Sequence, residues 1–406
     1  MNKIFLIFSL LLYTTTEIYC QSFTSSPYSM FGLGRPENGE SSRNSGLGGT
    51  GIGMRTDDHL NLMNPASFSK LENSIFYFDL GVSMRHYRYH SGNQKQHVSE
   101  GNLNRIIMGF KPLNKWGIAF GIAPVTSVGY KIVTSNFIEG TTDKEDITFK
   151  GSGGISKLFI GNAFQLTPSL TLGLNTSYIF GAIYHDEIQS NVAIYEKSYA
   201  AAFYADMGIQ YENKLKGKFP FTIGLVYGTN QKIQLKNEIE IKGADESVIV
   251  SETLAKTSVS LPEFIGIGIN LSDSKKWSIG ADYLYQDWSM NSSVSSNLYY
   301  TKQHRLSAGV QYSPNQQVAL NIFERMHYRM GISVENSYLK IKNQNPLLFR
   351  TTLGTGIPLK KKSMINVSLI WEEDNAYGNS IISTSTFKIN LGFSLSETWF
   401  MKRKFD

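Results

Sequence analysis

One cysteine, Cys20, is all the 406-residue chain contains, and that scarcity removes two classes of protein at once. A disulfide framework needs pairs of cysteines, and a thiolate zinc site needs several. No apolar run approaches the ~20 residues of a membrane-spanning helix, so a helical membrane protein is also excluded. Histidine is sparse and mostly isolated: His59, His86, His90, His97, His185, His304 and His327. His86 and His90 would share one face of a strand but lie ~13 Å apart at 3.3 Å per residue, too far to hold one metal unaided. His185-Asp186-Glu187 reads as a solvated strand end. No local motif marks a nucleophile with a histidine and acid partner, so neither catalysis nor a cofactor or metal is expected. Charge of one sign is weak too. Lys+Arg number 39 against 33 Asp+Glu, a net of +6, with short basic clusters at 360–362 and 402–404. Without a basic stripe interleaved with base-stacking aromatics, nucleic acid is not an expected partner. These lysines suit membrane rims facing lipid phosphates.

What is present is alternation. From about residue 73 to 398, short segments carry an apolar residue at every second position, separated by turn residues. Trp116, Ile118, Phe120 and Ile122 interleave with Gly117, Ala119 and Gly121; Phe387, Ile389, Leu391, Phe393 and Leu395 interleave with Lys388, Asn390, Gly392 and Ser394. A water-soluble sandwich would alternate similarly but would not need strands of ten or more residues. The pattern predicts an all-β fold, a transmembrane antiparallel β-barrel of about 14 strands. Lys or Arg on the lipid face costs roughly 2–4 kcal/mol at the bilayer midplane, so the Lys388 side faces the lumen. An aromatic share of 13%, rich in Tyr and Phe, fits interfacial girdles.

The organisation follows. Lys3 and the apolar stretch from Ile4 to Tyr13 have the charged and hydrophobic regions of a secretory signal peptide. Glu17, Ile18 and Tyr19 make a poor lipobox before Cys20, so cleavage is expected after residue 20, leaving a thiol-free chain in the bacterial outer membrane among its lipids and lipopolysaccharide. Residues 21–70 lack alternation and are crowded with Gly, Ser, Asn and Pro; they are expected to plug the lumen, which otherwise would be an open pore. Residues 71–406 would form the barrel and a short periplasmic tail. Strands are expected near 73–90, 99–112, 115–135, 144–166, 169–190, 196–214, 218–238, 252–272, 276–292, 298–313, 324–341, 346–358, 363–376 and 382–398. Tight periplasmic turns are expected at 166–169, 213–218 and 272–275, and longer extracellular stretches at 91–98, 136–143, 237–251 and 374–380.

Particular residues carry a resemblance. Ser45-Gly46-Leu47-Gly48-Gly49-Thr50-Gly51, then Thr56-Asp57-Asp58 and Asn64-Pro65-Ala66-Ser67, resemble the N-terminal hatch of the FadL outer-membrane transporters of long-chain fatty acids and aromatic hydrocarbons. Ala281-Asp282-Tyr283 with Gln286-Asp287-Trp288-Ser289, and the run from Arg305 to Tyr312, look like paired strands of that family. The opening from Ser26 to Gly34 and the ending from Trp399 to Lys404 look like its Bacteroidetes-type branch. The resemblance implies passive uptake of hydrophobic molecules through a lumen pocket, released by plug movement or through a lateral window at a kinked third strand. It also admits a second role, since barrels of this type can serve as non-transporting subunits of outer-membrane protein assembly or secretion complexes. The basic tail from Met401 to Asp406 would offer such partners a handle.

Physical reasons accompany the motifs. Gly46, Gly48, Gly49, Gly51 and Gly53 let backbone pass close to a wall and adopt positive φ. Pro65 disfavours helix at Asn64 and would help turn the chain from plug into wall. Arg55, Asp57 and Asp58 are expected to pair with lumen charges such as Arg105, Asp282 or Arg305. Pro124 interrupts a well-formed strand, where a proline removes a ladder hydrogen bond, so a kink or bulge is expected there with Thr126, Ser127 and Gly129 beside it. The alternative is that Pro124 lies in that strand's extracellular extension. Leu284 and Trp288, out of phase with Ile279, Tyr283 and Tyr285, are candidate apolar lumen contacts or plug-packing residues.

Overall fold

The computed structural model of the protein describes residues 26–91, 94–137, 142, 144–215, 219–273, 276–291, 297–314, 321–360, 362–374 and 382–399. The expected signal segment, the stretch just beyond Asp374 and the basic tail lie outside the described residues.

Fourteen wall strands run in chain order: β1 (Ile75–Ser91), β2 (Gln94–Leu113), β3 (Trp116–Phe137), β4 (Lys144–Gln165), β5 (Leu170–Ile188), β6 (Val192–Leu215), β7 (Phe219–Gly228 and Gln231–Gly243), β8 (Val248–Thr253, Thr257–Leu261 and Glu263–Ser272), β9 (Trp277–Asp287), β10 (Lys302–Tyr312), β11 (His327–Asn336), β12 (Leu347–Pro358), β13 (Met364–Asp374) and β14 (Ser383–Thr398). Chain neighbours pair antiparallel, and β14 closes onto β1 from Ile75↔Thr398 to His90↔Ser383. The chain is thus a transmembrane β-barrel, in which closure satisfies backbone groups that hydrocarbon cannot.

Alternation sorts the side chains as the phase demands. Leu158, Ile160, Phe203, Ile267, Ile279 and Leu306 stand exposed on the outside, with Phe203 at 79%. Asp79, Arg105, Asp282, Arg305, Arg350 and Asn390 are buried on the inside. Lys388 lines an inner cavity with Arg85 and Glu37, on the side assigned to it by the cost of a charge in lipid.

Several expected loops are instead wall. Residues 94–98, most of 237–251, and positions 136 and 137 continue strands, because β1 to β8 rise beyond the roughly 9–11 residues a membrane crossing needs. β6 alone has 24 residues, whereas β9 to β13 have 10 to 12. Above the membrane both faces meet water, so alternation fades while pairing persists. The expected strands 298–313 and 324–341 are each cut: Leu298–Tyr300 and Leu339–Ile341 leave the wall and pair with each other.

The segment 26–71 touches inward-facing residues around the wall. A Cβ added at Gly117, Gly173, Gly224 or Gly331 would stand 2.0 to 2.2 Å from Phe68 O, Ala66 N, Ile52 O and Gly48 N, respectively. Glycine on the wall is therefore what admits this backbone. Gly48 also sits at φ +69, in the left-handed region that glycine tolerates without cost.

Candidate lumen site and wall opening

Asn64, fully buried, explains the Asn-Pro-Ala element. Its Oδ1 accepts from Ala66 N at 3.0 Å, capping the short helix Pro65–Lys70, while Nδ2 donates to Ile52 O, Ile209 O and Leu225 O at 3.0 to 3.3 Å. One side chain thus ties the N-terminal segment to itself, to β6 and to β7. Pro65 and Asn64 lie over Gly208, and Ala66 over Gly173, where no larger wall residue would fit. Gly46 approaches Gly354, and Gly49, at φ +84, packs beside Glu40. Asp282 accepts from Gly51 N at 2.6 Å and Ile52 N at 2.8 Å, so this carboxylate binds backbone and no cation of the segment.

The expected ion pairs are redistributed. Asp57 pairs with Lys362 at 2.5 Å, Asp58 with Arg43 at 2.8 Å and Arg55 with Glu212 at 3.0 Å. Arg105 pairs with Asp79 at 2.6 Å on the neighbouring strand, and Arg305 reaches Glu40 at 3.1 Å. Opposite charges nearest in space satisfy one another, and spacing along the chain carries no information about which those are. Glu40 also holds Arg350 at 2.9 Å, and Glu37 holds Arg85 at 2.5 Å. Burial alone would push the Glu37 carboxyl up, but Arg85, then Lys388 and Arg35, outweigh it and hold it down at about 2.

Above this layer lies a cavity of about 170 Å³. Ile52, Met63, Val226, Phe264, Leu284 and Trp288 supply apolar lining, and Lys157, Asp206 and Arg305 line it as well. Trp288 is buried, and its Nε1 donor has no partner among the described residues. Most of this lining comes from different strands whose inward apolar residues look incidental in sequence. Leu284 and Trp288 were legible only because they fell on the polar phase.

Beside the cavity the wall is interrupted. β2 and β3 pair from Phe110↔Ile118 to Ile106↔Ile122, with Leu113↔Trp116 below, and no further. Pro124, which has no N–H to offer, lies two residues beyond Ile122. In the ladder with β4 the register shifts between Pro124 and Thr126, leaving Val125 as the extra residue. The segment 26–37 takes the place β2 has left: Arg35↔Ser127 and Pro36↔Thr126 pair antiparallel, Glu37 N donates to Val125 O at 2.9 Å, Ser127 Oγ donates to Glu37 at 2.9 Å, and Ser29 Oγ accepts from Gly129 N at 3.0 Å. A second cavity of about 420 Å³ opens between Leu103 and Asn104 of β2 and Pro124, Thr126, Ser127 and Val128 of β3. Glu37 and Pro124 line both cavities. The roles of Glu37 and Arg85 escaped the sequence reading because Glu37 sits in a stretch without periodicity, although strand phase alone sends Arg85 inward.

Among the described residues no group of three His, Cys, Asp or Glu side chains is placed to hold a metal ion. His86 instead stacks on His97, with ring centres 5.6 Å apart, and His185 bonds Tyr130 Oη at 2.7 Å.

A model of the BamG family matches residues 1–406. The chain belongs to the BamG family. No curated protein matches the sequence. Among solved structures, the Pseudomonas putida toluene transporter TodX superposes with a TM-score of 0.63 at 14% identity, over 90% of this chain and all of that one. The CymD monoaromatic hydrocarbon channel gives 0.57 at 11%, over 92% and 99% of the two chains. A Pseudomonas aeruginosa FadL homologue gives 0.56 at 12%, over 88% and 97%. At such identities the likeness establishes that this BamG-family chain shares the FadL-type barrel, and its chemistry must be argued from its own residues.

Proposed function

We propose that the protein is an outer-membrane channel, of the Bacteroidetes-type branch of FadL-like barrels, for passive uptake of hydrophobic small molecules, aromatic or fatty-acid-like. The observation that carries this reading is the pair of cavities sharing Glu37 and Pro124, one largely apolar in the lumen and one at the break between β2 and β3. An apolar cavity of about 150 Å³ is enough to stay dry and bind benzene, so about 170 Å³ admits one aromatic ring or a short alkyl stretch. In this reading a ligand enters from the extracellular mouth, rests against Leu284 and Trp288, and leaves sideways past Pro124, Thr126, Ser127 and Gly129 when the segment around Glu37 shifts. Residues 21–70 act as the plug. The solved likenesses to a toluene transporter and a monoaromatic hydrocarbon channel support the reading through fold.

A second reading is favoured by a different observation: backbone of residues 46–66 meets the wall at glycine after glycine, with Asn64 and Asp282 as clamps, as in a lumen that stays shut. On that reading the barrel is a non-transporting subunit of an outer-membrane protein assembly or secretion complex. Purification from native outer membranes in mild detergent, followed by mass spectrometry of co-purifying proteins and extracted lipids, separates the two. A monomer carrying a hydrophobic ligand supports uptake. A stoichiometric complex with an empty lumen overturns it in favour of the structural subunit.

A further inference from the structure

The outer face of β1 and β2 changes character abruptly at one height. Phe76 begins the outward row of β1, its ring stacked 4.2 Å from Trp399 and 6.1 Å from Phe110. Phe78, Leu80, Val82 and Met84 follow on the same side, Met84 61% exposed. The next outward residues are His86, Arg88 and His90, and the ladder places Ser99, His97 and Lys95 opposite them on β2. From Phe76 to His86 is ten residues, or ~33 Å along the strand, which a tilt of 35–45° reduces to about 25 Å of height, the thickness of a barrel's apolar band. Trp371, on β13, stands in register with Phe387 and His86, and its ring lies 6.5 Å from that of Phe387. These two rings mark the upper interface. Five basic side chains therefore crown the apolar band at the end of the barrel far from Phe76.

The cluster is built. The guanidinium of Arg88 lies 5.4 Å over the ring of Trp371, His86 and His97 stack at 5.6 Å, and Ser99 Oγ lies 2.9 Å from His86 Nδ1. Glu373, two strands away and outward-facing, is the nearest carboxylate in the register on this face. Glu100 and Glu37, which lie close in sequence or space, point inward and are taken by Arg85. Five basic groups with one acid at their edge, in the row of Arg88 beyond Ser385, directly above hydrocarbon, match a ligand that is anionic at its head and apolar below.

We propose that His86, Arg88, His90, Lys95 and His97 form a binding site for the phosphate-bearing headgroup of an outer-leaflet glycolipid, whose acyl chains lie along Val82, Met84 and Leu103. The site is separate from the lumen and stands beside the opening between β2 and β3, where Leu103 is 51% exposed. Arg88 and Lys95 contact phosphate oxygens, and Trp371 orients Arg88 from below.

The test uses the full-length protein in detergent, so it does not depend on whether the lumen transports. Diphosphorylated lipid A is titrated in, and retained lipid is counted by native mass spectrometry. The expected result is saturable retention that falls roughly tenfold or more in apparent affinity in R88A/K95A, because both permanently charged contacts to the phosphates are removed. Lipid A stripped of its phosphates binds the wild type correspondingly weakly, and inorganic phosphate at equal concentration does not compete. Equal retention by wild type and R88A/K95A overturns the site, and displacement by inorganic phosphate overturns the assignment to a lipid. The charge reversal K95E, at an exposed position, gives the same loss and guards against a folding defect in the double variant, with heat-modifiable gel mobility confirming the barrel in each.

Discussion

Asn64 shows how much one side chain can hold. Replacing it by alanine removes the cap on Pro65–Lys70 and leaves the carbonyls of Ile52, Ile209 and Leu225 without their shared donor. Each lost hydrogen bond in a buried setting costs roughly 1–3 kcal/mol where a partner is stranded. Asn64→Ala is expected to leave the barrel closed while the segment 41–71 gains hydrogen exchange by at least tenfold, read by mass spectrometry of its peptides. Unchanged exchange there would contradict the clamp. Glu37 supplies a pH dependence. Its carboxyl is held at about 2 against about 4.3 for an ordinary glutamate, so its pairing with Arg85 stabilises fully above the ordinary value and is lost as pH falls through the lowered one. The attachment of residues 35–37 to β3 should therefore persist from pH 8 to pH 5 and loosen only between about pH 4 and pH 2. Glu37→Gln should abolish that window; exchange of the 30–40 peptide rising between pH 8 and pH 5 would refute the assignment. Asp57, Asp58 and Arg55 carry a caution at this scale. Asp58 finds Arg43 within its own segment, whereas the partners Lys362 and Glu212 of Asp57 and Arg55 come from distant parts of the chain.

Among the elements, β3 departs most from a regular strand. Pro124 withholds an N–H at the point where β2 ceases to pair, and Val125 is extruded from the ladder with β4. Pro124→Ala restores the donor and permits regular pairing, so it should narrow the cavity between β2 and β3 and reduce uptake of a small aromatic probe into liposomes by severalfold, with barrel stability unchanged or slightly raised. An undiminished uptake rate would separate the proline from the path. The wall glycines are the counterpart on other strands. Gly331→Val would drive a side chain into the backbone of Leu47 and Gly48, 2.1 to 2.7 Å from its Cβ. It should expel that part of the segment and raise ion conductance in planar bilayers, whereas a silent variant would show that the lumen is closed elsewhere. In sequence these glycines look like ordinary small inward residues, since the backbone they admit, at Leu47 and Gly48 in the case of Gly331, lies in a far part of the chain.

The whole molecule is an uneven cylinder. β1 to β8 stand tall, β9 to β13 barely exceed the membrane, and the small sheet of Leu298–Tyr300 with Leu339–Ile341 packs beside Trp288 over the low side. The lumen cavity draws its lining from the segment 36–63 and from wall strands between β3 and β10, so it exists only once the cylinder has closed and the segment is inside. Leu284→Arg, which introduces a long cation into that cavity beside Lys157 and Arg305, should abolish retention of a benzene-sized ligand while preserving heat-modifiable migration of the barrel on a gel. Retention of the ligand would place its binding site elsewhere.

Sequence alone determined the class of fold, the strand number, the inward sense of Lys388 and the irregularity of the third strand at Pro124. Alternation has a period of two, charge is costly in lipid, and proline has no donor; each is a local property that chain order preserves. Tertiary structure alone decided which carboxylate meets which cation, where glycine meets backbone, how far the strands rise above the membrane and that two cavities share Glu37 and Pro124. Those depend on which residues a cylinder of fourteen strands brings opposite one another across its lumen, and separation along the chain does not encode that distance.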